Sequence, residues 1–126
     1  MNNLEQAKMT ALDERTCEFA QNVRVFVKKL PRTIANKEDI RQLVRTSGAV
    51  GASYVKAREA MSKREFVLRN RMCRRLARES RYWLRLVSTR GLADLNVERD
   101  GLIQESAELM NLFSNITEFD LRNVRF

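Results

Sequence analysis

Arginine is concentrated in one stretch of this 126-residue chain, residues 63–90, which reads KREFVLRNRMCRRLARESRYWLRLVSTR. The stretch holds ten basic and two acidic residues, so its net charge of +8 (ten minus two) equals the net charge of the whole chain. A guanidinium group forms forked hydrogen bonds to phosphate and also stacks on flat rings. The residue types therefore predict recognition of phosphates and bases, provided that the spacing lets the arginines act together.

An α-helix over this stretch would gather most of its arginines on one side. At about 100° per residue, seven of them fall within a sector of about 120°, nearly opposite the apolar side chains. Tyr82 lies among them and is a candidate for stacking on a base, whereas Trp83 keeps the apolar phase and is predicted to lie in the core. The predicted nucleic-acid-binding residues are Arg64, Arg71, Arg74, Arg75, Arg78, Arg81 and Arg85.

A different interpretation of the same arginines is a solvated surface or a protein interface. Arginine is enriched at protein interfaces, where Glu98, Glu105 and Glu108 of another subunit could pair with the sector. Surface ion pairs contribute only about 0–1 kcal/mol each, so stability alone hardly explains seven clustered arginines. Arg69 falls inside the apolar side, where it could line a channel or ligand site. The favoured alternative is a partnered arginine at a helix or subunit interface, with Glu105 or Glu108 as the candidate partner, because an unpaired buried charge is costly. Both interpretations of the sector remain open.

Several classes of catalytic and metal site are excluded by residues that the chain lacks. It has no histidine, so neither a Ser-His nor a Cys-His nucleophile can be built, nor a histidine-assisted zinc site. It has no phosphate-binding glycine loop, calcium loop or paired-carboxylate motif. We therefore expect a protein that is not an enzyme and that binds no metal and no cofactor.

The cysteines and the hydropathy pattern bear on the cellular compartment. Cys17 and Cys73 stand far apart without metal-ligand neighbours, and we expect two reduced, buried thiols in a cytoplasmic protein. A disulfide between them is a minor alternative, since spacing alone does not exclude it. No apolar run approaches the ~20 residues that span a bilayer, and the N-terminus is too polar for a signal peptide. We expect no membrane association.

The elements that must position the arginines are predicted to be helices. One proline, four glycines and 32% charged residues are typical of long helices with few turns. Pro31 ends the first helix and Asn36 can cap the second. Ser62 and Glu65 form a capping box for the third, which stops at Gly91. The predicted fold is all-α, an antiparallel up-down four-helix bundle, with helices over about 13–30, 36–60, 63–90 and 97–116, a frayed N-terminus over 1–12 and a C-terminal tail over 117–126.

The stretch RTSGAVGASYV, residues 45–55, raises the question of a phosphate-binding loop, because two glycines stand three apart between serines. At helical spacing an apolar stripe passes through both glycines without losing phase, which a loop would have no reason to maintain. The Gly-x-x-Gly loop of KH domains needs strands nearby, and no convincing period-two segment is present. We therefore predict a helix in which Ser47, Gly48 and Gly51 let a neighbouring helix approach closely, a packing gain that offsets about 1 kcal/mol per mid-helix glycine.

Three segments resemble a known bacterial family: ERTCEFAQNVRVFVKKLPRT, QLVRTSGAVGASYVKAREAMSKREF and RRLARESRYWLRLV. They are similar to the four-helix-bundle proteins associated with intervening sequences of large-subunit ribosomal RNA genes, and to the related accessory variability determinant of diversity-generating retroelements. The resemblance covers residues from about 14 to 116. It implies a ring-shaped homo-oligomer, a pentamer with a central channel, together with nucleic-acid association. For the retroelement relatives it also implies a reverse-transcriptase partner.

Two hypotheses about function follow. In the first, a non-catalytic, basic oligomer binds RNA or DNA, mainly through phosphate contacts from the arginine-rich third helix. In the second, an oligomeric adaptor or scaffold docks a protein partner, such as a reverse transcriptase, on the same basic face.

Overall fold

The computed structural model describes residues 3–123, with side chains described at positions 3–4 and 11–116. Over these residues the chain forms helices and no strand, so the predicted all-α chain of four helices is confirmed. Helices neighbouring in sequence pack against each other, and the first closes on the fourth, which leaves the first and third diagonally opposed. The helices are α1 (Asn3–Val27), α2 (Ile34–Arg58), α3 (Lys63–Leu86) and α4 (Ala93–Asn123).

Contacts between helix ends show that the neighbours run antiparallel. Arg58, the last residue of α2, forms an ion pair with Asp13 in the first half of α1. Lys29, just after α1, donates to Glu98 near the start of α4 at 2.7 Å. In each case the end of one helix meets the beginning of its neighbour, as the short connections of an up-down bundle require.

All helix boundaries except the start of α3 differ from the sequence expectation, most of them by two to four residues. The segment 1–12, expected to be frayed, is helical from Asn3, and its Leu12 is buried. α4 begins four residues earlier than expected, at Ala93, since Leu95 extends its buried face, and it runs through the expected tail as far as Asn123. Residues 1–2 and 124–126 lie outside the described part of the chain.

The third helix ends earlier than expected, at Leu86. It stops there because Val87 (φ −61°, ψ 143°) already has an extended backbone conformation, and Arg90 (φ 55°) and Gly91 (φ 70°) then adopt the left-handed conformation. Two such residues in succession cannot continue a right-handed helix, so they turn the chain towards α4.

The predicted capping residue is confirmed for α3, whereas α2 is capped by a different residue from the one predicted. Ser62 Oγ accepts from the backbone N–H of Glu65 at 3.1 Å, as the capping box predicts. The prediction that Asn36 caps α2 is wrong, because Thr33 Oγ1 is the cap and accepts from the backbone N–H of Asn36 at 3.1 Å. Asn36 is instead buried, and its side chain bonds the backbone of Ser88 at 2.8 and 2.9 Å and that of Pro31 at 2.9 Å.

The core lies between the apolar faces of all four helices. One polar contact crosses it, between the hydroxyls of Ser80 in α3 and Thr46 in α2, which hydrogen-bond at 3.1 Å. Thr46 donates its hydroxyl proton to the carbonyl of Leu43, and Ser80 shares its one proton between Thr46 Oγ1 and the carbonyl of Leu76, so burial leaves neither oxygen unpartnered. The apolar residues predicted for the first helix are all buried: Phe19, Val23, Phe26, Val27 and Leu30.

The stretch RTSGAVGASYV lies wholly inside α2 and is therefore helix. A Cβ placed on Gly51 would stand 2.9 Å from Oγ1 and 3.3 Å from Cβ of Thr16, so α1 lies directly against this glycine. A Cβ on Gly48 would stand 3.3 Å from the guanidinium of Arg24, a flexible side chain. Ser47 is buried and donates to the carbonyl of Val44 at 3.3 Å. Of these small residues, Gly51 sets the α1–α2 distance.

We predict that Gly51→Ala destabilises the protein although alanine is the better helix former. The gain in helix propensity, about 1 kcal/mol, is outweighed by the clash with Thr16, whose hydroxyl is held on the carbonyl of Asp13 at 3.0 Å. Urea denaturation followed by circular dichroism measures the free energy of unfolding.

The matched control for this substitution is Gly101→Ala. Gly101 lies inside α4, and an added Cβ there meets nothing within 4 Å, so this variant should gain about 1 kcal/mol. Equal stabilisation by the two substitutions would contradict close packing at Gly51.

Candidate nucleic-acid interface

The seven arginines predicted from the helical pattern all lie on α3 and all are exposed. We call them the arginine face: Arg64, Arg71, Arg74, Arg75, Arg78, Arg81 and Arg85. The opposite side of the same helix carries the buried side chains, among them Phe66, Cys73 and Leu84. Burial of that side against α2 and α4 fixes the rotation of α3 about its axis and so turns the arginine face to solvent.

None of the seven arginines forms an ion pair with a carboxylate in the described part of the chain. The ion pairs found there use basic residues of the other helices and of the α1–α2 connection: Arg15, Lys29, Arg41 and Arg58. Among the described residues, therefore, no carboxylate neutralises the positive charge of the arginine face.

Two acidic residues of α4, Glu105 and Glu108, form ion pairs with Arg15 of α1. Arg15 forms a two-point contact with Glu105, through Nε at 2.9 Å and Nη2 at 2.6 Å, and its Nη2 lies 3.5 Å from Glu108. The hydrogen bond with Glu105 raises the pKa of Arg15 above its ordinary value. The expectation that Glu105 or Glu108 pairs with Arg69 is wrong, because α1 supplies the partner, and Arg69 is half-buried without an ion pair among the described residues.

Charge is divided unequally between adjacent helices. α3 holds nine basic and two acidic residues, a net +7, whereas α4 holds two basic and seven acidic residues, a net −5. Within α3, like charges also stand one helical turn apart, an arrangement that costs about 0.2–0.5 kcal/mol per pair in isolated helices. The pairs four residues apart are Arg71/Arg75, Arg74/Arg78 and Arg81/Arg85.

Two aromatic residues stand at the C-terminal half of the arginine face. Tyr82 is 56% exposed, and Trp83 is half-buried and packs against the core. Their ring centroids lie 5.0 Å apart at an interplanar angle of 79°, an edge-to-face contact. Trp83 thus anchors the neighbouring ring, and Tyr82 carries the exposed aromatic surface.

The sequence analysis did not identify two further exposed basic residues at the end of the bundle where α3 stops. The buried amide of Asn36 joins Pro31 to Ser88, so the α1–α2 and α3–α4 connections meet at the end of the bundle where α3 stops. This contact brings the exposed residues Arg32 and Arg90 to the same end. The angular position of residues around a helix does not predict where residues in the connections lie. The up-down topology, however, does place both connections at one end of the bundle.

A row of exposed apolar side chains beside the arginine face was also missed. Leu68, Met72 and Leu86 are 54%, 38% and 49% exposed. At 100° per residue they fall on one flank of the face, next to Tyr82. The helical pattern contained this signal, but it was outweighed by the larger apolar set on the buried side.

Other groups of the described residues offer little chemistry. No cluster of three or more His, Cys, Asp or Glu side chains suited to a metal ion occurs among them, and none of the four helices carries an apolar stretch of membrane-spanning length. Both cysteines are free, but the expectation that both are buried is wrong, because Cys17 is exposed. Burial raises the pKa of the Cys73 thiol to about 12, so this group stays protonated at neutral pH.

One solved structure supports the architecture. It is a 1.70 Å crystal structure of a protein of unknown function from the S23 ribosomal protein family of Bacteroides thetaiotaomicron VPI-5482. The two chains are 21% identical, and the superposition covers 88% of this chain and 98% of the other, with a TM-score of 0.72. The two proteins share a fold. No family model and no curated protein matches the sequence.

We predict that Arg71→Gln/Arg74→Gln/Arg75→Gln/Arg78→Gln raises the free energy of unfolding at low salt. It removes two like-charged pairs at four-residue spacing, worth about 0.5–1 kcal/mol together, while glutamine and arginine have similar helix propensities. Urea denaturation at 20 mM and 500 mM salt checks this, and the gain should shrink as salt screens the repulsion.

The control variant, Lys28→Gln/Arg41→Gln/Arg45→Gln/Lys56→Gln, removes the same charge from exposed residues outside α3. It removes the like-charged pair Arg41/Arg45, but also the ion pair of Arg41 with Glu38, so it should not be stabilised. A loss of stability in the α3 variant would mean that the arginines have counter-charges, for example in another subunit.

Proposed function

We propose that this protein is a non-catalytic nucleic-acid-binding protein whose arginine face contacts phosphates. The observation that carries the proposal is the set of seven exposed arginines on one helix, none with a counter-charge in the described part of its own subunit. Such a surface raises the local concentration of a polyanion, and each guanidinium offers a forked contact to a phosphate oxygen. The helix that carries the arginines, α3, packs against α2 and α4 on a common core, so the arginines project from a rigid support.

Binding of this kind depends on charge more than on sequence. From Arg71 to Arg85 the helix rises about 21 Å, at about 1.5 Å per residue. Phosphates along one strand are about 3.4 Å apart along a helix axis, so this distance spans about six nucleotides. Contacts to phosphates fix position without reading bases, and the affinity they provide falls steeply with salt.

The resemblance to ribosomal RNA intervening-sequence proteins belongs to the same proposal. It rests on the three quoted segments, and the fold shared with a member of the S23 ribosomal protein family is consistent with it. The resemblance also implies a ring-shaped homo-oligomer of five subunits, which we propose for this chain. Support comes from a shallow groove of about 410 Å³ between α1 and α2, lined by Gly48, Gly51, Ala52 and the 49%-exposed Val55. Subunit contacts through this groove would leave the arginine face free.

The oligomer is tested by light scattering. We expect the wild type to have about five times the 14.7 kDa of one chain. Val55→Glu should reduce the mass, because it places a charge in the groove, whereas Ile34→Glu, at a position that is 91% exposed at the start of α2, should not. A wild type of 14.7 kDa, or a Val55→Glu variant of unchanged mass, would contradict this assembly.

Nucleic-acid binding is tested by fluorescence anisotropy with labelled RNA and DNA, single- and double-stranded, between 50 and 200 mM salt. We expect salt-dependent binding that the variant Arg71→Gln/Arg74→Gln/Arg75→Gln/Arg78→Gln weakens at least tenfold. If all four contact phosphates of a single strand, the slope of log K against log salt should become shallower by about three.

The control for this experiment has the same net charge. Lys28→Gln/Arg41→Gln/Arg45→Gln/Lys56→Gln should retain most of the wild-type affinity, once light scattering has shown that all three proteins have the same mass. Equal losses in the two variants would indicate a diffuse charge effect. Absence of binding at 50 mM salt would rule out the proposed function.

The adaptor function is favoured by one observation, the exposed apolar row of Leu68, Met72 and Leu86 beside the arginine face. Apolar and arginine side chains together are typical of protein interfaces. A partner such as a reverse transcriptase would be recognised if Met72→Ser lowers its binding while nucleic-acid binding is unchanged.

A further inference from the structure

We infer that the arginine face takes single-stranded rather than double-stranded nucleic acid, with one base stacked on Tyr82. This inference rests on the proposed function and adds the class of ligand. It combines two features of the same surface, a row of phosphate-binding groups and an exposed aromatic ring within it.

Tyr82 stands inside the arginine face rather than beside it. At 100° per residue its direction from the helix axis lies between those of Arg71 and Arg75. Arg78 and Arg85 are one helical turn away on either side along the axis, at about 6 and 4.5 Å of rise. A strand that lays phosphates on these guanidinium groups therefore passes directly over the ring.

The ring is both available and held in place. Its side chain is 56% exposed, and its contact with Trp83 is edge-to-face at 5.0 Å. Trp83 packs against the core and contacts Tyr82, so the core holds Trp83 in place and Trp83 in turn supports the ring of Tyr82. A ring that is already ordered loses little rotamer freedom when a base stacks on it.

The surroundings of the ring favour bases over a second row of phosphates. Leu68 and Leu86 are about half exposed and offer apolar surface about 40° around the helix from Tyr82, just beyond Arg75, whereas five of the seven arginines lie on the other side of the ring. Unpaired bases present apolar faces that stack on aromatic side chains and contact apolar ones, while the phosphates keep to the basic side. In a duplex these faces are stacked inside the helix and cannot reach Tyr82.

The test compares an eight-nucleotide single strand with a duplex of equal phosphate number, each carrying 2-aminopurine, whose fluorescence falls on stacking. The protein variants are Tyr82→Leu, which keeps an apolar cover on Trp83, and Tyr82→Phe, which keeps the ring. We expect the wild type and Tyr82→Phe to quench the single strand. We expect Tyr82→Leu to lose the quenching and to bind the single strand about 5- to 100-fold more weakly, with duplex affinity unchanged.

The outcomes separate this inference from the proposed function. If both ligands bind with sensitivity to the arginine substitutions, but Tyr82→Leu has no effect or weakens both ligands equally, the single-strand inference is overturned and phosphate binding stands. A duplex that binds as tightly as the single strand also overturns it. If neither ligand binds at 50 mM salt, the proposed function and this inference are both overturned. Circular dichroism and light scattering check that every variant has the wild-type fold and mass.

Discussion

The ion pairs between α1 and α4 determine where positive charge remains on this molecule. Arg15 forms a fork on Glu105, and Lys29 bonds Glu98 at 2.7 Å, so the contact that closes the bundle also uses the carboxylates of its most acidic helix. α4 packs against both α1 and α3, and its acids could in principle serve either neighbour. Glu105 and Glu108 pair with Arg15, and Glu98 pairs with Lys29, so these three carboxylates supply no counter-charge to the arginine face. The positive charge on the arginine face thus depends in part on which neighbouring basic residues the glutamates of α4 contact.

Buried polar contacts fix the register of α2 against α3, the pair on which the orientation of the arginine face depends. The Asn36 side chain bonds Ser88 at one end, and Thr46 bonds Ser80 about three turns further along α2. The two contacts agree in register, since the residue numbers sum to 124 and 126, as antiparallel neighbours require. Apolar side chains tolerate sliding by a turn, but a slipped register would separate the buried Asn36 side chain from Ser88, at about 1–3 kcal/mol for each polar group left unsatisfied.

The helical pattern predicted those features that depend on a single helix. The buried side of α3, the exposure of its arginines and the helical state of RTSGAVGASYV all follow from phase, which needs no knowledge of neighbours. Features that depend on two helices were not predictable. Asn36 is a good capping residue locally, but its actual partner Ser88 is 52 residues away. The partner of Glu105 depends on whether α1 or α3 supplies the closer basic side chain, and the helical spacing of a single helix does not predict this.

Two exposed helix surfaces in the same bundle show why the arginines of α3 indicate a ligand. On α2 one exposed arginine is paired locally: Arg41 forms an ion pair with Glu38, and hydrogen bonds from Gln42 and Arg41 lower the pKa of Glu38. On α3 none of the seven arginines is paired with a carboxylate among the described residues, and the ring of Tyr82 is exposed. Folding requires neither arrangement, because both surfaces point away from the core, and α2 demonstrates that this fold accommodates the compensated one. The unpaired arginines on the exposed side of α3 therefore support the proposal that a binding partner supplies the negative charge.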